Sequence, residues 1–292
     1  FPLGPFLRRS GAFFIRRSFQ GRKLYAALVD AYLRKVLVEG FNLEFFMEGG
    51  RSRTGKLLPP KLGLLSMVVD AGLRLPSVKP SFVPISVGYE RIIEERAYAH
   101  EQGGGEKEPE SVGGLLRTSR VLRSRYGRLY VQFGEIFSFE ELLAEGARLR
   151  DAAPEDARRL SPAQRRALVS RIAHRVTHEI DRVTIVTPAA LVASALLSER
   201  QGQLRHEALV ERCGALVAAL QRAGARIARP VLRDDAPVVA PPDRPVEGEV
   251  ARLRLDEEAL DETLALFTDS RAVETRGEGP ARAHRVPPNR RL

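Results

Sequence analysis

The sequence predicts an α/β protein in which an incomplete αβ domain is followed by a mainly helical region. Up to about residue 150, short apolar runs alternate with amphipathic segments of helical length, which is typical of α/β domains. Beyond that point helical segments follow one another, and several begin at Ser-Pro or Thr-Pro, which favours the first turn of a helix. The predicted domains are residues 1–150, 151–230 and 231–292.

The first domain is predicted to contain short apolar strands separated by amphipathic helices. The strands are expected at residues 12–15, 43–47, 82–89 and 129–137, and the helices at residues 21–39 and 60–75. In the first helix Leu24, Leu28, Tyr32 and Val36 share one face. This order of elements places ligands at the carboxyl ends of strands.

The rest of the chain is predicted from helix starts and from proline content. Helices are expected at residues 139–149, 162–183, 188–200, 204–224 and 256–267. A polar, glycine-rich loop is expected at residues 101–111, a proline-rich linker at residues 231–248, and disorder from Arg271 onwards.

Composition and charge restrict the function. Because Cys213 is the single cysteine, a disulfide framework is excluded, and its helical context favours a core position over a nucleophile. No window approaches 18 uncharged apolar residues. The net charge is +10, and residues 1–62 hold twelve basic and four acidic residues, a net +8. An anionic ligand is therefore expected to bind near the amino-terminal part of the chain.

A glycine-punctuated loop after residue 47 contains the strongest chemical signal. It holds the carboxylate Glu48 and the four cations Arg51, Arg53, Lys56 and Lys61. Glycines let backbone amides turn toward a ligand, and guanidinium groups match the oxygens of phosphate. The pattern predicts a small phosphorylated ligand.

Residues 50–56 also satisfy the first seven positions of a nucleotide P-loop, G-x-x-x-x-G-K. The eighth position must be Ser or Thr to bind magnesium, and here it is Leu57. Pro59 and Pro60 prevent the helix that should begin at the lysine. A P-loop NTPase is kept only as an alternative.

Three blocks in the first 90 residues form the most specific pattern. They read Gly11-Ala12-Phe13-Phe14-Ile15-Arg16-Arg17, Phe46-x-Glu48-Gly49-x-Arg51-Ser52-Arg53-x-Gly55-Lys56-x-x-x-Pro60-Lys61-x-Gly63 and Phe82-Val83-Pro84-Ile85-Ser86-Val87-x-Tyr89-Glu90. In order and spacing they resemble the second, third and fourth blocks of glycerolipid acyltransferases, most closely the bacterial membrane-bound glycerol-3-phosphate 1-O-acyltransferases. The resemblance covers residues 1 to about 225.

This resemblance implies an enzyme of phospholipid biosynthesis. It would transfer a fatty acyl group from acyl-CoA or acyl carrier protein, without a further cofactor or metal, to the 1-hydroxyl of sn-glycerol 3-phosphate, giving lysophosphatidic acid. It implies peripheral contact with a membrane surface, on the cytoplasmic side of the bacterial inner membrane, and no nucleic-acid partner. The implied substrate-binding residues are Arg16, Arg17, Glu48, Gly49, Arg51, Ser52, Arg53, Lys56, Lys61 and Pro84.

Each of these residues also has a simpler interpretation. Arg16 and Arg17 are compatible with a solvated strand edge, and Glu48 with an ion pair that orients a loop arginine. Ser52 is compatible with a loop cap, and Pro84 with a bulge or an edge position in a strand.

The first block of the family, H-x-x-x-x-D, has no match here. In that block the histidine, oriented by the aspartate, takes the proton of the acceptor hydroxyl. None of the five histidines of this sequence has an aspartate five positions later. The dyad is therefore expected upstream of Phe1, in a larger enzyme of which this chain is the carboxy-terminal part.

Two further alternatives concern the helical region. His174 and His178 lie one helical turn apart, which permits a shared metal, although a solvated helix face is the simpler interpretation. Residues 191–227 have the short-helix, long-helix rhythm of winged-helix modules, and their arginines permit contact with nucleic acid. Glu199, Glu207 and Glu211 dilute that charge and favour a scaffold or partner-docking role.

Overall fold

A computed structural model describes residues 3–16, 18–50, 52, 55–91, 126–151, 153, 156–232 and 255–288. The chain forms two compact units that alternate along the sequence. The first unit comprises Phe1–Val83 and Glu135–His178, and the second comprises Pro84–Gly134 and Glu179–Leu292. The domain boundaries at residues 150 and 230 stay a prediction.

The first unit is built mainly from helices. They are α1 (Leu3–Arg9), α2 (Lys23–Val38), α3 (Leu62–Arg74), α4 (Phe139–Leu149) and the first part of α5 (Pro162–Val183). Strand β1 (Ser81–Phe82) pairs antiparallel with β4 (Phe137–Ser138). A capping box between Ser138 and Glu141 starts α4, since each side chain bonds the backbone of the other residue.

Close contacts fix α3 within the first unit. A Cβ atom at Gly72 would lie 2.8 Å from the Phe139 ring, so only glycine permits this approach of α3 to α4. Arg165 of α5 pairs with Asp70 and donates to Ser66 Oγ at 2.6 Å. The hydrogen bond to Asp70 raises the pKa of Arg165, so the pair stays ionised.

The second unit combines helices with short strands. Within the residues that the structure describes, its α-helices after α5 are α6 (Pro188–Leu197), α7 (His206–Arg222) and α8 (Glu257–Asp269). Its strands are β2 (Ile85–Tyr89), β3 (Leu129–Phe133), β5 (Ile185–Val186), β6 (Gln203–Arg205), β7 (Arg226–Ile227), β8 (Glu274–Arg276) and β9 (Ala283–Arg285). Strands β2 and β3 pair antiparallel, β5 and β7 pair parallel, and β6, β9 and β8 form an antiparallel sheet in that order.

The core of the second unit lies around α6, which packs against α7 and α8. Leu196, Leu209 and Leu260 are fully buried there. Cys213 belongs to the same cluster, and burial raises its pKa to about 12. The prediction that this cysteine is a core residue is therefore confirmed.

Most predicted helices form within a few residues of their expected bounds, but two predicted strands do not. Residues 12–15 and 43–46 have no regular secondary structure. Apolar composition predicted these strands, yet a strand also requires a partner, and none pairs with them in the described part of the chain. The predicted strand 82–89 is interrupted at Pro84, which has no N–H to donate, and the strand 129–137 is interrupted at residues 134–136.

The prediction of disorder from Arg271 onwards is wrong up to residue 288. Strands β8 and β9 pair there, and Val273 and Val286 are buried in the core of the second unit. The pattern of small and charged residues suggested a tail, whereas two buried valines and pairing with β6 order the segment.

The apolar face predicted for α2 is exposed. Leu24 is 86% exposed and Leu28 is 64% exposed, whereas the buried residues of this helix are Val29 and Leu33. The mixture of helices with small sheets is consistent with the α/β class, although three of the four sheets in the described residues are antiparallel. In the part of the chain that the structure describes, no helix combines the length and apolar character that crossing a bilayer requires.

Candidate functional site

The loop between Met47 and α3, called here the 48–61 loop, is closed by two hydrogen bonds. The Lys61 amide donates to the Met47 carbonyl at 2.6 Å. The Leu58 amide donates to Oε2 of Glu48 at 2.9 Å, across ten residues. Glu48 thus shapes the loop through a backbone contact, a role that neither its substrate-binding nor its ion-pair interpretation anticipated.

Gly49 has a backbone conformation and a neighbour that require glycine. Its φ is +60°, in the left-handed region, and a Cβ atom there would lie 2.8 Å from Cγ of Lys61. The loop therefore brings the backbone of Gly49 against the aliphatic stem of Lys61. This contact holds the first carbons of the Lys61 side chain beside Gly49, the neighbour of Glu48.

The other loop residues present donors. Lys56 and Lys61 are exposed, and Lys61 immediately precedes α3. Ser52 is half-buried, and its Oγ is itself buried, without a hydrogen-bond partner among the described residues. Arg51 and Arg53 lie outside the described residues, and their substrate-binding role stays a prediction.

Arg16 is held against the first turn of α2. Its amide donates to the Tyr25 hydroxyl at 3.0 Å, and its guanidinium lies 5.5 Å from the centre of the Tyr25 ring. Tyr25 was not identified from the sequence, because nothing in a helical pattern marks a tyrosine as the support of an arginine nine residues earlier. Arg17 lies outside the described residues. Among the described residues, no hydrogen bond or ion pair joins Arg16 to the 48–61 loop.

Pro84 belongs to the second unit. It lies between β1 and β2, is buried, and accepts a hydrogen bond from the Gly134 amide at 2.8 Å. Gly134 is closely packed, because a Cβ atom there would lie 3.1 Å from Cβ of Pro84. These contacts suit the interpretation in which Pro84 contributes shape.

The geometry of the 48–61 loop differs from that of a P-loop. In a P-loop the lysine opens a helix whose amino end faces the phosphates. Here residues 56–61 are not helical, and α3 begins at Leu62. The structure thus agrees with the inference that Pro59 and Pro60 prevent such a helix.

The four described histidines fall into two groups. His174 and His178 are exposed on α5, whereas His206 and His284 are buried in contact with each other. No group of three or more histidine, cysteine or acidic side chains is placed to hold a metal among the residues that the structure describes. The metal alternative for His174 and His178 therefore gains no support from a third ligand.

Comparison with known proteins identifies both parts of the chain. Residues 98–283, more than half of the chain, match the family model of the glycerol-3-phosphate acyltransferase C-terminal region, and residues 1–88 match the acyltransferase family. Proteins named glycerol-3-phosphate acyltransferase from Actinobacillus pleuropneumoniae serotypes 5b (strain L20), 3 (strain JL03) and 7 (strain AP76) are each 38% identical over 213 residues. Those residues make up 73% of this chain and 25% of each relative, so the chain spans about a quarter of the length of the curated relatives it matches. The chain belongs to the family of the glycerol-3-phosphate acyltransferase C-terminal region.

Proposed function

We propose that this chain is part of an acyltransferase that converts sn-glycerol 3-phosphate into lysophosphatidic acid, and that it supplies the acceptor-phosphate site. The acyl donor is a fatty acyl thioester of coenzyme A or acyl carrier protein. The observation that carries the proposal is the 48–61 loop, which Glu48 closes and which presents Lys56 and Lys61 in a chain of this family.

The charge of the loop suits a phosphate better than a neutral acceptor. Arg51, Arg53, Lys56 and Lys61 outnumber the single carboxylate Glu48, which is already engaged by the Leu58 amide. Charge-assisted hydrogen bonds from guanidinium and ammonium groups would neutralise the phosphate and orient the 1-hydroxyl.

The proposed reaction is acyl transfer by direct attack. The oxygen of the 1-hydroxyl attacks the thioester carbonyl carbon, the C–O bond forms, and the C–S bond breaks. A histidine of an H-x-x-x-x-D block takes the hydroxyl proton and returns it to the leaving thiolate. No histidine of this sequence lies in such a block, so the proposal assigns the base to a segment outside residues 1–292.

We also propose that the first unit contacts an anionic membrane surface, on the cytoplasmic side of the inner membrane. Exposed Phe6, Leu7 and Leu24 lie in the same unit as the basic residues Arg8 and Arg9. Co-sedimentation with vesicles containing an anionic lipid should decrease when Leu24 is replaced by Asp. The matched replacement of exposed Leu149, in the same unit, should leave it unchanged. Equal losses would count against this surface.

The nucleic-acid alternative is weakened by the charge of α8. The order β6–β9–β8 beside α6, α7 and α8 is that of winged-helix modules, in which a helix such as α8 meets the DNA. Yet α8 contains Glu257, Glu258, Asp261 and Glu262 and no basic residue, so it repels phosphate. A retarded band with duplex DNA at about 150 mM salt would restore this alternative.

The acceptor site is tested by binding. Glycerol 3-phosphate should bind residues 1–292 much more tightly than glycerol, and Arg53→Ala should raise its Kd at least about tenfold, since a charge-assisted hydrogen bond contributes roughly 1.5–3 kcal/mol. Arg74→Ala, which removes an exposed arginine at the far end of α3, is the control and should change the Kd little. Equal affinity for glycerol and its phosphate would reject the proposed function.

A further inference from the structure

A second cationic site lies on the segment that leads into α2. A cavity of about 730 Å³ is lined there by Ile15, Arg16, Ser18, Gln20 and Arg22. Of these residues only Arg16 belongs to the acceptor site inferred from the sequence blocks. The chemistry of the other polar residues is therefore unassigned.

Four of the five described residues that line this cavity carry hydrogen-bond donors. Arg16 and Arg22 each carry a guanidinium group, and Gln20 carries a side-chain amide. Oγ of Ser18 accepts a hydrogen bond from the backbone N–H of Gln20 at 3.2 Å, which leaves the serine hydroxyl proton free to be donated. Among the residues that the structure describes, no acidic side chain lines the cavity. Such a set of groups matches the oxygens of a phosphate.

The local charge is unbalanced in the same direction. Residues 1–29 contain six basic residues and no acidic residue. The first acidic residue along the chain, Asp30, pairs with Arg34 at 2.8 Å. That carboxylate is thus engaged one turn further along α2.

The turn that carries these side chains is held by its own backbone. The Arg22 amide donates to the Phe19 carbonyl at 3.0 Å, and Gly21 adopts a φ of +72°. The Arg22 carbonyl accepts from the Ala26 amide at 3.0 Å, which starts α2. Because backbone contacts fix this turn, the side chain of Arg22 is not needed to hold its shape.

We propose that Ser18, Gln20 and Arg22, together with Arg16, form a phosphate-monoester subsite that nothing in the sequence blocks assigns. The inference rests on the proposed function for its ligands, because both substrates of that reaction carry phosphate: glycerol 3-phosphate itself and the coenzyme A moiety of the donor. Arg22 supplies a second guanidinium, and Ser18 and Gln20 donate to the remaining oxygens.

The test measures binding of glycerol 3-phosphate and, separately, of coenzyme A to residues 1–292 by equilibrium dialysis. Arg22→Ala should weaken one of the two ligands about tenfold, and Arg22→Lys should recover part of that loss. Lys23→Ala is the matched control, since it removes the same charge from the neighbouring residue, which does not line the cavity. It should change either affinity by less than about twofold.

The two ligands identify the source of the phosphate. A loss confined to glycerol 3-phosphate assigns the subsite to the acceptor, and a loss confined to coenzyme A assigns it to the donor. Equal effects of Arg22→Ala and Lys23→Ala, or no effect of Arg22→Ala on either ligand, overturn the subsite. If the chain in that case still binds glycerol 3-phosphate more tightly than glycerol, the proposed function is retained and only the subsite is rejected. Failure of the subsite can therefore be distinguished from failure of the proposed function.

Discussion

Glu48 is an acceptor in a loop that otherwise offers donors. Its carboxylate receives the Leu58 amide and thereby brings together residues that lie ten positions apart. Two functions are compatible with this geometry. The side chain acts only as a hydrogen-bond acceptor that shapes the loop, or its charge also orients Arg51 or Arg53.

Two substitutions of Glu48 separate these functions. Gln retains an oxygen that accepts from the Leu58 amide, whereas Ala leaves this amide without its partner. If shape dominates, Glu48→Ala should raise the Kd of glycerol 3-phosphate about three- to tenfold, in line with one hydrogen bond, and Glu48→Gln should keep it within about twofold. Calorimetric titration of residues 1–292 measures both values. Glu44→Ala removes an exposed carboxylate outside the loop and is the control. A loss with Gln as large as that with Ala would assign the role to the charge.

At the residue scale the sequence predicted chemistry better than contacts. The preference for glycine at position 49 and the surplus of cations follow from residue type, because glycine adopts a positive φ at the lowest cost and guanidinium and ammonium groups match phosphate. The bond from Leu58 to Glu48 and the support of Arg16 by Tyr25 depend on how the chain turns in space. The separations along the chain, ten residues for Glu48 and Leu58 and nine for Arg16 and Tyr25, match no recurrent sequence pattern that would predict these contacts.

Helices of this chain were predictable because their start signals are local. Residues 162–183 form α5 as expected, since Ser161 and Gln164 cap it reciprocally and Pro162 suits its first turn. The sheet of β6, β9 and β8 joins residues about eighty positions apart, such as Leu204 and His284. No short-range pattern encodes that pairing, which explains why the sequence alone predicts a disordered tail after Arg271.

Two buried histidines join the elements of this sheet to α7 and α8. Nη2 of Arg282 lies 2.7 Å from Nε2 of His206, and because arginine only donates, this nitrogen must accept. The proton of His206 is thus on Nδ1 and points to Nε2 of His284 at 3.2 Å. Nδ1 of His284 then donates to Oγ1 of Thr275 at 3.0 Å. Both imidazoles must be neutral in this chain of bonds, because the Nε2 atom of each ring accepts a hydrogen bond. Arg282 also pairs with Asp261 of α8.

This arrangement makes the second unit sensitive to acid. Burial, followed by His206 and Arg282, lowers the pKa of His284 from 6.5 to about 4. Burial and Arg282 also lower the pKa of His206, against the opposing effects of Asp261, Glu257 and Glu207. These histidines take up protons less readily in the folded state than in the unfolded state. Their contribution to the free energy of unfolding is therefore fully present above about pH 6.5 and decreases as the pH falls towards 4. The loss from His284 should be roughly 2–3 kcal/mol.

Urea unfolding between pH 8 and pH 4.5 measures this loss. His284→Phe, which has no titrating ring, should be less stable than the unchanged chain at pH 7.5 but should show a flatter pH profile. His178→Phe removes a solvent-exposed imidazole from α5 and serves as the control, with a profile parallel to that of the unchanged chain. If His284→Phe lost stability on acidification as steeply as the unchanged chain, another group would be responsible.

At the scale of the whole molecule, the segments of the predicted site fall into both compact units. The 48–61 loop and Arg16 belong to the first unit, whereas Pro84 begins the second. The sequence blocks give the order of these segments along the chain but not their division between units. The chain passes from one unit to the other at residues 83–84, 134–135 and 178–179. The blocks therefore predict the order of the site segments along the chain but not the units that hold them.

The same scale decides whether this chain can catalyse the reaction. A positioned histidine base typically contributes about 10²–10⁴-fold. His206 and His284 are buried and hydrogen-bonded to each other, and His174 and His178 are exposed on α5 with Glu179 and Val183, instead of aspartate, five positions on. Purified residues 1–292 should therefore give no glycerol 3-phosphate acylation above a protein-free control in an assay with radiolabelled acceptor.

The positive arm of this experiment supplies the base. A protein in which a segment with an H-x-x-x-x-D block precedes these residues should turn over, and replacing the histidine of that block by alanine should abolish turnover again. His174→Ala in the active protein should leave the rate unchanged, since this exposed side chain takes no part in the proposed proton transfer. Acylation by residues 1–292 alone, lost on replacing one of their own histidines, would place the base within this chain and require a different mechanism.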